Sequence, residues 1–317
     1  MLEKVSVIMS TYKESLEWIE LSLNSILNQT HSNIEFIIVV DDPSRDDLIA
    51  LLKRHASEDK RIQVLVNERN RGLVYSLNRA LKAVSSKYVL RMDADDISEN
   101  DRIQRQLDYM EKYQLDLVGC QVVFIGEDGK VMFDTSTSVH SNPKYVNKVL
   151  SFQNCIYHPT WLVKTELYNK LGGYRSINYC EDLDFLLRAK NIGARMSNLR
   201  VPLVNYRYNT NGISRTNKAK QRCITKYLCS HRNEIELKSE TDINSCVGVS
   251  AALADCEKYY SISQKAIDAK ANGNYPKLIL ECIKSIVLTK NGKRKFIETL
   301  KDKAYFVLEK VDCMRLE

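Results

Sequence analysis

The sequence predicts an α/β fold: a Rossmann-like mixed sheet flanked by helices, followed by a helical extension. Three observations carry this. Short apolar runs of strand length alternate with helix-length segments through the first 92 residues. The runs are continuously apolar rather than alternating, as in strands covered on both faces. Residues 216–317 carry helix-like patterning and 19 Lys+Arg against 13 Asp+Glu, a balance of +6, whereas 1–215 hold 28 and 27, a balance of +1. The expected domains are therefore 1–215 and 216–317.

In order, "KVSVIMS" (4–10) reads as a strand, and Leu16, Ile19, Leu23, Ile26 and Leu27 mark a helix by their spacing of three and four. "IEFIIVV" (34–40) is a second strand ending in Asp41-Asp42-Pro43, followed by a helix over 46–57 and the strand "IQVLV" (62–66). "NRG" (70–72) is a turn, and Leu73, Leu77, Ala80, Leu81 and Val84 define the next helix. "YVLRM" (88–92) is the fourth strand. Beyond it come a helix over 99–112, a long strand over 115–126, the turn "EDGK", a helix starting near 180 and a closing strand over 201–209. Their mixed order predicts an antiparallel extension. In the last helix Phe296, Leu300, Ala304, Val307, Leu308 and Val311 share one face, with Lys293, Arg294, Lys295, Lys301 and Lys303 beside them.

Composition excludes several classes. No run of about 18 uncharged apolar residues suggests a transmembrane helix. "MLEKVSVIMS" has neither the apolar core nor the cleavage site of a signal peptide, so a cytoplasmic location is expected. The nine cysteines are odd in number and form no C-x-x-C pair, which argues against a disulfide framework or zinc cluster. The balanced charge of 1–215 disfavours nucleic acid as a partner.

In parallel sheets, ligands bind beyond the carboxyl ends of the strands. Ser10-Thr11-Tyr12, Asp41-Asp42 and the acids Asp93, Asp95 and Asp96 all fall at such ends and should line one crevice. One or two acids would serve as a helix cap at the positive end of the helix dipole. Three crowded carboxylates call for a cation, and hard divalent ions take such oxygen ligands.

The stretches "VSVIMSTYKES" (5–15), "LNSILNQTHSNIEFIIVVDDPSRD" (23–46), "NRGLVYSLNRAL" (70–81), "YVLRMDADD" (88–96), "HPTWLVKTELYNKLGGY" (158–174) and "EDLDFLLR" (181–188), spanning roughly 5–215, resemble the family 2 glycosyltransferases, an inverting group with the GT-A fold. The resemblance implies a nucleotide-sugar donor, most commonly a UDP-sugar, with GDP and dTDP sugars as alternatives; it also implies Mn²⁺ or Mg²⁺, and a hydroxyl acceptor on a glycan or lipid-linked saccharide in bacterial surface polysaccharide assembly. It implies that Thr11, Tyr12 and Glu14 border the nucleotide, that Asp42 meets the uracil edge, and that Asp93 lies near the ribose. Asp95, with Asp96 close by, would hold the metal, and Asp182 of the Glu181-Asp182 pair would be the general base. His158 resembles a pocket histidine, and Ser214 and Arg215 would close over the diphosphate. Each has a structural alternative: a helix start for Glu14, a turn and cap for Asp42, a satisfied core residue for His158, a cap for Asp182.

Two departures bear on the site. Pro43 stands where the family more often has glycine, so φ is fixed there. "YRYNTNGISR" (206–215) lacks the histidine many members carry, which leaves a third metal ligand open. The chain lacks the Q-x-x-R-W motif and membrane spans of processive synthases, so one sugar per encounter is expected. Nucleotidyltransferase, dehydrogenase and P-loop readings lack their glycine-rich loop after the first strand. A binding protein without transfer activity is the remaining rival. The basic tail reads either as a helix packed on the protein or as a membrane-surface helix placing the enzyme peripherally on the inner face of the membrane; helix-mediated dimerisation fits the same pattern.

Overall fold

The computed structural model describes residues 2–134, 139–209, 212, 216–245 and 250–314. They form two compact units, one comprising 1–147, 154–176 and 184–209, the other 148–153, 177–183 and 210–317.

The first unit is built on β1 (Val5–Thr11), β2 (Ile34–Val40), β3 (Ile62–Val66), β4 (Tyr88–Asp93), β5 (Ile97–Ser98), β6 (Leu117–Ile125), β7 (Val131–Asp134), β8 (Leu162–Lys164) and β9 (Met196–Arg207). The sheet order is β3-β2-β1-β4-β8-β6-β9-β5, with β7 paired to β6. The first four strands are parallel, as their covered, continuously apolar sequences require. The extension is only partly antiparallel. β8 runs against β4 and β6, but β9 runs parallel to β6. Helical segments between β8 and β9 provide the crossover that parallel pairing needs.

Helices α1 (Leu16–Leu27), α2 (Asp46–Glu58), α3 (Leu73–Ala83), α4 (Arg102–Tyr113), α5 (Pro143–Val149), α6 (Thr165–Leu171) and α7 (Glu181–Asn191) intervene. Ile19, Leu23 and Ile26 of α1, Leu48 and Leu52 of α2, and Ile103, Leu107 and Met110 of α4 pack on Val5, Val7, Met9, Phe36, Ile38 and Leu90. α3 packs against β1 and β2 and buries Leu77 and Ala80. Ser15 caps α1 by accepting from the Trp18 N–H at 3.2 Å. α3 begins after Gly72, whose φ of +83° favours glycine. The Gly172-Gly173 turn has φ of +69° and +77°.

The second unit is helical: α8 (Lys218–Ser230), α9 (Glu240–Ser245), α10 (Ser250–Ala271), α11 (Tyr275–Leu288) and α12 (Lys290–Met314), with a 3-10 segment over Arg232–Leu237. α11 packs on α10 and on α12. Among the described residues, no helix is long and apolar enough to cross a membrane.

Candidate active site

Register brings the predicted crevice together. Thr11 pairs with Val40, and Ser10 with Asp93, so the ends of β1, β2 and β4 stand side by side. The Asp41 N–H donates to the Thr11 carbonyl at 2.8 Å. Past β1, Glu14 folds back: one carboxylate oxygen accepts from the Thr11 hydroxyl at 2.8 Å and from the Tyr12 N–H at 2.7 Å. Glu14 thereby organises its own loop and contributes negative charge to the crevice.

Asp41 and Asp42 divide their work. Asp41 is buried and accepts from the Asn67 side chain and from the N–H groups of Arg71 and Gly72, at 2.6–2.8 Å. It fastens the end of β2 to the loop before α3. Asp42 is more open. It accepts from the Ser44 hydroxyl and N–H, which hold its carboxyl below the usual range.

At the end of β4, carboxylate oxygens of Asp93, Asp95 and Asp96 lie within 4.8 Å of one another. Burial, then the Asp93 and Glu14 charges, push Asp95 up to about 7. Burial, then Asp95 and Asp93, push Asp96 well above the carboxylate range. One Asp96 oxygen accepts from the Arg207 N–H at 2.8 Å, while Oδ2 is buried with no partner. A buried, unpartnered oxygen among repelling carboxylates fits a hard divalent cation. Asp93 belongs to this group geometrically, although the sequence reading set it apart beside the ribose.

Two arginines that sequence reasoning passed over frame the acids. Arg91 is buried within β4, and its guanidinium is ion-paired with Asp93. Burial disfavours its charge, but the Asp93 charge and hydrogen bond, with Tyr174 and Asp96, together outweigh this, so its pKa is raised. Arg207, at the end of β9, donates from Nε to the Asp95 carbonyl at 2.9 Å and from Nη1 to the carbonyls of Gly126 and Glu127 at 3.0 and 3.1 Å. Its guanidinium lies 5.0 Å from the Trp18 ring centroid. The legible signal for Arg91 was a lone charge inside an otherwise apolar strand.

His158 is buried. Its Nε2 lies 2.9 Å from the Tyr174 hydroxyl, and its ring sits edge-on to Trp161 and Tyr174. Burial, then the Arg91 charge, hold its pKa well below the usual histidine value. Glu181 and Asp182 begin α7, in the segment belonging to the second unit. The Asp182 carboxylate accepts from the Leu183 N–H at 2.7 Å. Ser214 and Arg215 lie outside the described residues.

A mixed sheet with helices on its faces and an acidic crevice beyond its strand ends defines a glycosyltransferase of the GT-A type. The chain belongs to glycosyl transferase family 2, whose family model matches residues 6–172. It is an enzyme of the hexosyltransferase class. It is 30% identical over 248 residues to the O-antigen biosynthesis glycosyltransferase WbnJ of Escherichia coli, covering 78% of this chain and 94% of that protein. The fold is similar to S. aureus TarS 1-349 in complex with UDP-GlcNAc, with TM-score 0.60 and 17% identity over 99% of this chain and 92% of that one. It is also similar to the mannosyltransferase PcManGT of Pyrobaculum calidifontis in complex with GDP-Man and Mn²⁺, with TM-score 0.56 and 18% identity over 98% and 87% of the two chains.

Proposed function

We propose that the protein moves a sugar, with inversion, from a UDP-sugar to a hydroxyl of a glycan or lipid-linked saccharide during bacterial surface polysaccharide synthesis. The observation that carries this reading is the convergence of Asp93, Asp95 and Asp96 within 4.8 Å beside the Thr11–Glu14 loop. Family membership, the name of the E. coli relative and the UDP-GlcNAc bound to one structural neighbour support it. The Mn²⁺ named with the other neighbour supports a divalent metal. We assign Asp95 and Asp96 as its holders, with Asp93 alongside. When bound, the cation neutralises charge developing on the departing diphosphate.

The chain's own residues do the rest. Thr11, Tyr12 and Glu14 border the nucleotide, and Asp42 accepts from the uracil N–H. Asp182 takes the proton of the acceptor hydroxyl as its oxygen attacks C1 and the bond from C1 to the diphosphate breaks. A positioned base of this kind contributes roughly 10²–10⁴-fold. The transition state is oxocarbenium-like, with attack opposite the leaving group. His158, Glu181 and Arg215 complete the donor or acceptor pocket. Domains 1–215 and 216–317 divide catalysis from a helical extension that contacts the membrane peripherally.

Calorimetric titration of UDP in Mn²⁺ and in EDTA tests the nucleotide half. Metal-dependent binding that Asp95→Ala abolishes is expected; equal binding in EDTA removes the metal role. Asp182→Asn keeps UDP binding and loses transfer by at least roughly 10²-fold. Transfer at the wild-type rate removes the base assignment.

A further inference from the structure

The last two helices are turned inside out. In a water-soluble helix the apolar stripe faces the core and the charged face meets water. In α11 and α12 the buried positions include Glu281, Ser285, Asn291, Glu298 and Glu309. The exposed ones include Ile279 at 60%, Ile283 at 52%, Val287 at 73% and Val307 at 63%. Ile279, Ile283 and Val287 recur every four residues on one side of α11, and Glu281 and Ser285 occupy the other. In α12, Phe296, Leu300 and Val307 stand opposite Glu298 and Glu309 in the same way. The apolar face that the sequence marks on α12 therefore points out, which goes against the reading of a helix packed inward on the protein.

The inward side is a polar seam, most of it paired, with Asn291 Oδ1 and Arg222 Nε left without a hydrogen-bond partner. Glu298 is held by Arg222 at 2.7 Å and Arg294 at 2.9 Å. Thr289 donates to the Ser285 carbonyl at 2.8 Å and accepts from the Gly292 N–H at 2.8 Å. A Cβ on Gly292 would meet that carbonyl oxygen at 2.0 Å, so only glycine permits this approach. Small and polar residues inside, with branched apolar residues outside, is the pattern of helices whose surroundings are hydrocarbon.

Charge identifies those surroundings. The six exposed charged side chains on the pair are Lys277, Lys290, Lys293, Lys301, Lys303 and Lys310. Its five acids are all buried or half-buried. Two copies meeting through this face would bring lysine against lysine. Neither helix can span a bilayer. We propose that α11 and α12 seat on an anionic lipid surface, the outward apolar side chains entering the interfacial layer and the lysines meeting headgroup phosphates. This deepens the membrane contact in the reading above by naming the surface that makes it, and it holds whichever sugar is transferred.

The test is density flotation of the full chain, without nucleotide or metal, on phosphatidylcholine vesicles with and without phosphatidylglycerol. The wild type should float with the phosphatidylglycerol vesicles and stay down with phosphatidylcholine alone. Ile283→Glu with Val287→Glu should lower partitioning roughly tenfold or more. Circular dichroism, thermal midpoint and metal-dependent UDP binding should be unchanged, because both residues are exposed. A wild type that remains at the bottom with phosphatidylglycerol overturns the proposal, as does a double variant that floats equally well. A vesicle-free dimer that the same pair of substitutions dissociates would assign the face to a second copy instead. UDP binding is read separately, so failure of the lipid seat leaves the transfer reading intact, and the reverse.

Discussion

Asp93 stands between two demands. It repels Asp95 and Asp96, and it is the ion-pair partner of the buried Arg91. Asp93→Asn relieves the first and breaks the second, leaving Arg91 the charge of Asp96 but not its ion-pair partner. Breaking a buried pair by removing one partner costs about 3 kcal/mol or more, which exceeds the relief expected from a partly exposed carboxylate. The metal-free variant should therefore unfold at lower urea than the wild type, by about 3 kcal/mol. A variant more stable than wild type would mean that repulsion dominates and that Arg91 does not depend on Asp93. The same residue shows the limit of reading the sequence. "DADD" is legible as a cluster of crowded acids that needs compensation, but the internal arginine compensating one of them depends on which way the Arg91 side chain leaves β4.

At the scale of elements, legibility followed length. β1 to β4 and α1 to α3 were found close to their ends, since each strand is a continuous apolar run, each helix is long enough to show a period, and turn chemistry separates them. The two residues of β5 and three of β8 carry no period, and their pairing with β9, and with β4 and β6, is set by tertiary contacts. The polar ties between elements were equally hidden. Glu35 of β2 accepts from Lys4, Ser6 and Ser85, binding β1 and the loop before β4 to one carboxylate. Burial opposes its charge, but these donors together lower its pKa to about 2 from 4.5. A carboxyl depressed in the folded state contributes stability that is complete above the unfolded value and is lost as pH falls from about 4.5 towards 2. Glu35→Gln should flatten that part of the stability profile, by an amount of order 1–3 kcal/mol, measured by urea unfolding at successive pH values. An unchanged acid limb would locate the titration elsewhere. Gly173→Ala should also destabilise, by about 1 kcal/mol or more in thermal unfolding, because φ there is +77° and the added Cβ would lie 2.5 Å from the Asn78 side-chain oxygen.

For the whole molecule, the sequence separated a charge-balanced region from a basic one, and the described residues form an α/β unit and a helical unit. What it could not reveal was which side of the last helices faces out. A helical period of apolar residues reads the same whether the stripe packs inward or meets lipid, and only the burial of Glu281, Glu298 and Glu309 distinguishes the two. Attachment that combines lysines with apolar insertion should respond to salt in part. Raising ionic strength from about 0.05 to about 0.5 M shortens electrostatic reach severalfold. Flotation should fall but persist. Complete release would reduce the contact to charge alone, and no change would remove the lysines from it.

The link between Asp96 and the Arg207 N–H spans 111 positions of chain. Ribosomes deliver β4 and its acids long before β9, so the nascent chain carries three carboxylates whose anchor has not yet been made. The anchor of Asp96 is thus among the last contacts of the α/β unit that synthesis can complete, long after the first four strands have all emerged.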